Sequence, residues 1–391
     1  MKYPLASVSW DTKEFEAMQS VINSGEFTMG KKVIEFENNF AKYFGSKYAC
    51  MVNSGSSANL IAIATLFYRK NNPLKRGDEV IVPAVSWSTT YYPLQQYGLH
   101  CKFVDIDIDT LNYDLDSLEK AVSDSTKAIV VVNLLGNPND FNKIKSIIGN
   151  RKIDIIEDNC ESMGAEYDNK KTGTLSLIGT FSSFFSHHIS TMEGGIIVTD
   201  NEELYQIMLC LRAHGWTRNL PDENMVSGTK SSNPFYESFN FILPGYNVRP
   251  GEIHAALGIE QLKKLDSFIK IRRKNAKIFL NEFQNHPFIK FQKEISNSSW
   301  FGFSMIVSKN STKKRDDLIN FLTSNGVECR PIVSGNFLKN PVLKYFDYSV
   351  HGKIVNASEI DDYGFFIGNH QYDLETEIKE LKKLVNLFFE L

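Results

Sequence analysis

Two adjacent imidazoles, His187 and His188, stand in the stretch GTFSSFFSHHISTMEGGIIVTD between Gly179 and Asp200. A free imidazole titrates near pH 6.5, so either ring can take up and return a proton at neutral pH. A Ser/Phe-rich approach precedes the pair, and Gly194-Gly195 follows, opening onto an apolar run that reads as a strand.

Other residues with chemical capacity are spread along the chain. Residues 53–57, NSGSS, form a small-residue turn running into an apolar helix, where free backbone N–H groups and the helix dipole can hold a phosphate. Plain capping of the helix by serine explains the same turn. Trp87 follows a strand and either stacks on a heteroaromatic ring or is an ordinary core or rim indole. Asp158 ends another strand, where it either holds a protonated ring nitrogen or caps a helix, with Glu161 completing a capping box. Residues 26–30 join two helices as a simple connection or as the lip of a ligand site.

The elements that must position these groups alternate. Strands are expected over residues 48–52, 79–82, 101–105, 128–133 and 153–156, with helices between them, for example over 115–122 and 141–148. Runs of solid Val and Ile argue for a mainly parallel sheet buried on both faces, which binds ligands at the carboxyl ends of its strands. Residues 220–241 read as an exposed polar excursion. Helices are then expected over 251–265 and 267–283, followed by strands over 301–307 and 328–332, and by helices over 314–325 and 375–387. This pattern divides the chain into a large α/β domain, residues 1–250, and a linking helix with a smaller α+β C-terminal domain, residues 251–391.

Composition bounds the rest. At 391 residues, 42% hydrophobic and 23% charged, the chain has an ordinary globular make-up with room for two domains. A formal charge of -3 offers no basic field for nucleic acid or an anionic membrane. The N-terminal residues lack an apolar signal core and no run is long enough to span a bilayer, so the cytoplasm is the expected location. The five cysteines are widely spaced and form no CxxC pair, which argues against a disulfide framework, a zinc site or an iron–sulfur cluster.

Five ordered motifs resemble the DegT/DnrJ/EryC1/StrS family of sugar aminotransferases across essentially the whole chain. They are SGSSAN, PAVSWSTT, IIEDNCESMGA (the family's EDAAQAxGA), TFSSFFSHHISTMEGG and GYNVRPGEIHAALGIEQL (the family's GYNxRMxxxQAALGxxQL). The resemblance implies an aspartate aminotransferase-like fold, that is, a fold type I transferase dependent on pyridoxal 5'-phosphate. In the family a lysine tethers that cofactor, at a position five residues after the serine matched by Ser182. Here His187 occupies it, and Glu161 stands where the family has Gln. Histidine at this position is similar to the dehydratase branch of the family. The context SHHISTMEGG resembles members acting on GDP-4-keto-6-deoxy-D-mannose, with L-glutamate as amino donor.

The resemblance also implies residue roles. His187 is the expected proton-transfer residue, and the alternative is that His188 is the base and His187 packs. Gly55, Ser56, Ser57, Trp87, Asp158, Glu161, Ser182 and Asn247 are expected to hold pyridoxamine or pyridoxal 5'-phosphate without a covalent bond. Asn247 is expected to reach the neighbouring subunit's phosphate, which implies a homodimer. Gly25, Glu26, Phe27, Thr28, His214, Arg218, Arg249 and Glu328 are expected to contact the nucleotide sugar or glutamate. The competing expectations are a sugar aminotransferase using another lysine, such as Lys170 or Lys171, and a non-catalytic relative that only binds cofactor or nucleotide sugar.

Overall fold

The computed structural model describes residues 2–390. The expected alternation builds an eight-stranded sheet in the order Tyr48–Val52, Gly195–Thr199, Ile178–Ser182, Asp154–Asp158, Thr126–Val132, Glu79–Pro83, His100–Val104, Tyr348–Val350. Gly195–Thr199 runs antiparallel to both neighbours, and every other neighbouring pair is parallel. Thr126–Val132 shows why the sheet lies between helical layers. Ala128, Val130 and Val132 enter one core, whereas Ile129 and Val131 enter another on the opposite face.

The last strand comes from an unexpected part of the chain. Tyr348–Val350 pairs in parallel with His100–Val104, so a piece of the C-terminal stretch completes the central sheet. It is only three residues long and has little alternation to announce it.

The helices expected over 251–265 and 267–283 are one continuous helix, Glu252–Phe283. Asp266-Ser267 does not break it, because the Ser267 hydroxyl donates to the Lys264 carbonyl within the same helix. Its first half packs Ala255, Ile259 and Leu262 on the core beside the central sheet. Its second half sends Ala276, Phe279 and Phe283 into another core, where Phe279 stacks on Phe303 with ring centres 4.2 Å apart. That core lies on the three-stranded sheet Ile289–Lys290, Gly302–Val307, Gly364–Gly368, with helices Arg315–Ser324 and Glu375–Phe389. The strand expected over 328–332 is reduced to one bridge between Arg330 and Phe366. Pro331, which has no N–H to donate, interrupts the ladder there.

Candidate active site

A cavity of about 570 Å³ opens at the carboxyl edge of the central sheet. Ser54, Gly55 and Ser56 follow Tyr48–Val52, and Ser86 and Trp87 follow Glu79–Pro83. Asp158 and Glu161 close Asp154–Asp158, while Ser182 and His187 continue Ile178–Ser182. Phe301, Arg330, Val333 and Phe366 form the facing wall. Residues more than 100 apart in sequence thus converge because parallel strands all end on one edge.

One end of the cavity is the start of helix Gly55–Tyr68. Ser54 caps it in extended conformation, accepting from the Ser57 N–H at 3.1 Å. Gly55 and Ser56 then carry backbone N–H groups with no partner inside the helix, together with the positive end of its dipole. Gly55 is required by a close approach, since a Cβ there would lie 2.6 Å from the Ser182 Cβ. This small, donor-rich corner fits a phosphate. Ser57 does not line it, because its hydroxyl accepts from Ser54 at 3.0 Å and its N–H serves the same cap.

The middle of the cavity offers the groups a pyridine ring would need. Asp158 is 5% exposed, and its carboxylate accepts from Asn59 Nδ2 at 2.9 Å, from the Thr90 hydroxyl at 2.7 Å and from the Cys160 N–H at 3.2 Å. No helix starts at Asp158, so neither capping reading applies. Asn59 is itself held by the Thr180 hydroxyl, which donates to its Oδ1 at 2.6 Å. The Glu161 carboxylate accepts from the Leu135 N–H at 3.0 Å. Burial, reinforced by the nearby Asp158 charge, pushes its carboxyl up to about 7. Trp87 presents an indole that is 58% exposed on the rim, which rules out a core indole and leaves a ring-stacking face or a plain rim indole.

The two imidazoles separate clearly. His187 lines the cavity, its ring centre 5.2 Å from that of Phe301 and 6.0 Å from that of Phe184, and its Nδ1 has no hydrogen-bond partner. Burial, with the charge of Arg272 adding to it, lowers its titration to about 4, so the ring is neutral at pH 7. His188 is 1% exposed and does not line the cavity, and its Nε2–H donates to the Ser299 carbonyl at 3.2 Å. Among the described residues no lysine lines the cavity. Lys170 and Lys171 lie in a short hairpin with Glu166–Tyr167, and the Lys171 ammonium sits over the Tyr43 ring at 4.3 Å.

The remaining expected residues form a second group. A smaller cavity of about 390 Å³, lined by Arg249, Gly251 and His254, shares Ser54 and Glu193 with the first. Arg249 Nε donates to Asn247 Oδ1 at 3.0 Å. Trp216 gathers His214, Arg218 and Arg249, at 4.6, 4.3 and 5.8 Å from its ring. The loop with Gly25, Glu26, Phe27 and Thr28 abuts the same turn: Thr28 bridges Gly251, and the Phe27 carbonyl accepts from the Glu252 N–H. These residues neighbour the main cavity without lining it.

Glu328 belongs to neither group. Its carboxylate accepts from the Leu5 N–H at 2.9 Å, which ties it to the N-terminal segment, and Arg330 is the residue of this stretch that reaches the cavity wall. Arg330 and Phe301 escape sequence reading, because no local pattern marks them and only the fold brings them to the site, while Asn59 and Thr90 lie within the SGSSAN and PAVSWSTT motifs but receive no role there.

Comparison with known proteins agrees with this geometry. The family model for the DegT/DnrJ/EryC1/StrS aminotransferase family matches residues 9–377. GDP-4-keto-6-deoxy-D-mannose 3-dehydratase of Escherichia coli O55:H7 is 62% identical over 386 residues, covering 98% of this chain and 100% of that protein. The enzyme of the same name from Yersinia pseudotuberculosis is 60% identical over 382 residues, covering 97% of each chain. A crystal structure of GDP-4-keto-6-deoxymannose-3-dehydratase with a trapped PLP-glutamate geminal diamine superposes with a TM-score of 0.97 at 62% identity, covering 98% of this chain and 100% of that one. From the helix that opens on the phosphate-sized corner to the strand-end aspartate, this chain is a member of the DegT/DnrJ/EryC1/StrS aminotransferase family, with the fold type I architecture of pyridoxal-phosphate enzymes.

Proposed function

We propose that this chain is a pyridoxamine-phosphate-dependent 3-dehydratase. It removes the C3 hydroxyl of GDP-4-keto-6-deoxy-D-mannose to give GDP-4-keto-3,6-dideoxy-D-mannose, and L-glutamate regenerates the amine form of the cofactor. The observation that carries this reading is His187 on a cavity wall where no lysine is found among the described residues. High identity to two dehydratases over nearly the full chain supports it, and makes amination of the sugar the weaker reading.

When bound, the cofactor supplies an amine that condenses with a ketone and a ring that takes up electrons. The chain's own residues do the rest. Gly55, Ser56 and Ser182 hold the phosphate, Trp87 covers the ring face, Asp158 keeps the ring nitrogen protonated, and Glu161 lies within the same pocket. His187, neutral at pH 7, takes a proton from the cofactor's reactive carbon and returns it to the departing C3 hydroxyl. Because an imidazole cannot complete nitrogen transfer as a lysine does, the sugar leaves as a ketone and the nitrogen as ammonia.

Arg249, His214 and Arg218 supply cations and donors for the carboxylate of glutamate and the diphosphate of the sugar. Gly25, Glu26, Phe27 and Thr28 border the nucleotide. Asn247 serves the phosphate of a neighbouring copy, which makes the working form a homodimer acting in the cytoplasm. Incubation with the sugar nucleotide, pyridoxamine phosphate and glutamate tests the reading. Ammonia and 2-oxoglutarate are expected to accumulate in step with sugar consumed. Formation of 2-oxoglutarate without ammonia would identify an aminotransferase, and no turnover would identify a binding relative.

A further inference from the structure

Beside the Phe301 segment, whose ring packs near His187, lies a buried cation with no counter-charge. Arg272, on the Glu252–Phe283 helix, is 3% exposed and makes no ion pair among the described residues. Its guanidinium donates to the carbonyls of Phe301 and Asn369, and its Nε has no partner. A buried charge held only by carbonyl dipoles is costly, so a purely structural tie would be served as well by a neutral donor.

The position of this charge indicates its use. Phe301, whose carbonyl Arg272 grips, lays its ring 5.2 Å from His187 and 5.6 Å from His188. We propose that Arg272 is an electrostatic positioning residue for proton transfer, a fixed buried cation that keeps His187 free of its proton before reaction and drives the acquired proton onward to the leaving hydroxyl. This rests on the reading of His187 as the proton-transfer residue.

The charge of Arg272 is the leading electrostatic cause, after burial, of the depressed titration of His187, His188 and His370. The other groups facing His187 do not supply this field. Asp158, Glu161 and Glu193 on the cavity walls are acidic, and Arg330 lines the opposite wall. His187 and Arg273 act on the deeper ring, His188. Burial alone would make His187 a poor base and also a poorly directed acid. A buried cation beside the Phe301 segment, outside the cavity lining, strengthens the acid function that expels the hydroxyl.

Titration of His187 in the ¹³C-histidine-labelled, cofactor-free full chain tests the proposal without relying on turnover, with His187→Asn identifying the signal. In the unaltered chain the ring is expected to stay neutral down to about pH 5. Arg272→Gln should raise its midpoint by about one pH unit and shift the acidic limb of kcat/KM for dehydration upward by the same amount, whereas Arg272→Lys should restore both. A His187 midpoint near 6.5 in the unaltered chain would overturn the proposal, even if Arg272→Gln does not fold. So would an Arg272→Gln variant that loses stability or activity with its pH profile unmoved. Loss of dehydration in His187→Asn tests the underlying reading separately.

Discussion

At the scale of single residues, His187 differs from the family's lysine in what it cannot do. It has no amine to form a Schiff base with the cofactor, but its neutral imidazole at the cavity wall retains the ability to move a proton. His187→Asn should therefore lower dehydration about 10²–10⁴-fold while leaving pyridoxamine phosphate bound, with single-turnover kinetics and equilibrium dialysis separating the two effects. Residual activity near the unaltered level would move the role to another group. The residues readable in advance, His187, Asp158, Trp87 and Ser182, all sit in short local patterns at strand ends. Asn59 and Thr90 close the SGSSAN and PAVSWSTT motifs, but their role as two of the three donors on Asp158 was not readable, because it depends on contacts across 99 and 68 residues of sequence.

At the scale of elements, the site depends on how closely the Gly55–Tyr68 helix meets the end of Ile178–Ser182. Gly55→Ala would place a methyl group 2.6 Å from the Ser182 Cβ. Relieving that overlap costs about 1–3 kcal/mol and pushes the helix start or Ser182 out of the phosphate corner. Pyridoxamine phosphate affinity should fall at least about tenfold by equilibrium dialysis, as expected for a shift of 1.4 kcal/mol or more. An unchanged affinity would mean that the phosphate is held elsewhere. The helix start and its turn were legible from the SGSS run, although serine capping and phosphate binding both account for it. Two features were not legible: the unbroken Glu252–Phe283 helix, because Asp-Ser resembles a stop signal, and the short Tyr348–Val350 strand, because only its partner His100–Val104 defines it.

At the scale of the whole molecule, several buried imidazoles make stability depend on pH. Burial holds His187, His286 and His370 down to about 4, and holds His188 well below the usual imidazole range. Their unfolded counterparts titrate near 6.5, so between those values the unfolded chain binds more protons and stability falls as pH falls. Each such ring contributes a slope of up to about 1.4 kcal/mol per pH unit. Glu161, raised to about 7, acts in the opposite sense above its unfolded value near 4.5, but it is outnumbered. Tm measured by calorimetry should drop steadily from pH 6.5 to pH 4.5 at constant ionic strength, and a flat or rising Tm would contradict this account of the buried rings. The mainly parallel sheet was legible because Val- and Ile-rich strands alternate with helices, and the aspartate aminotransferase-like architecture was what the five ordered motifs implied. How the second group of residues, around Trp216 and Arg249, meets the main cavity was not, since it depends on a loop packing against the turn at Gly251.

The central claim is that a site which keeps its proton shuttle but lacks a tethering lysine deoxygenates its sugar instead of aminating it. Mass spectrometry of the sugar nucleotide formed from GDP-4-keto-6-deoxy-D-mannose, pyridoxamine phosphate and glutamate tests it most directly. The account predicts a product lighter than the substrate by one oxygen atom and containing no added nitrogen. A product carrying an amino group at C4 with its C3 hydroxyl intact would contradict it.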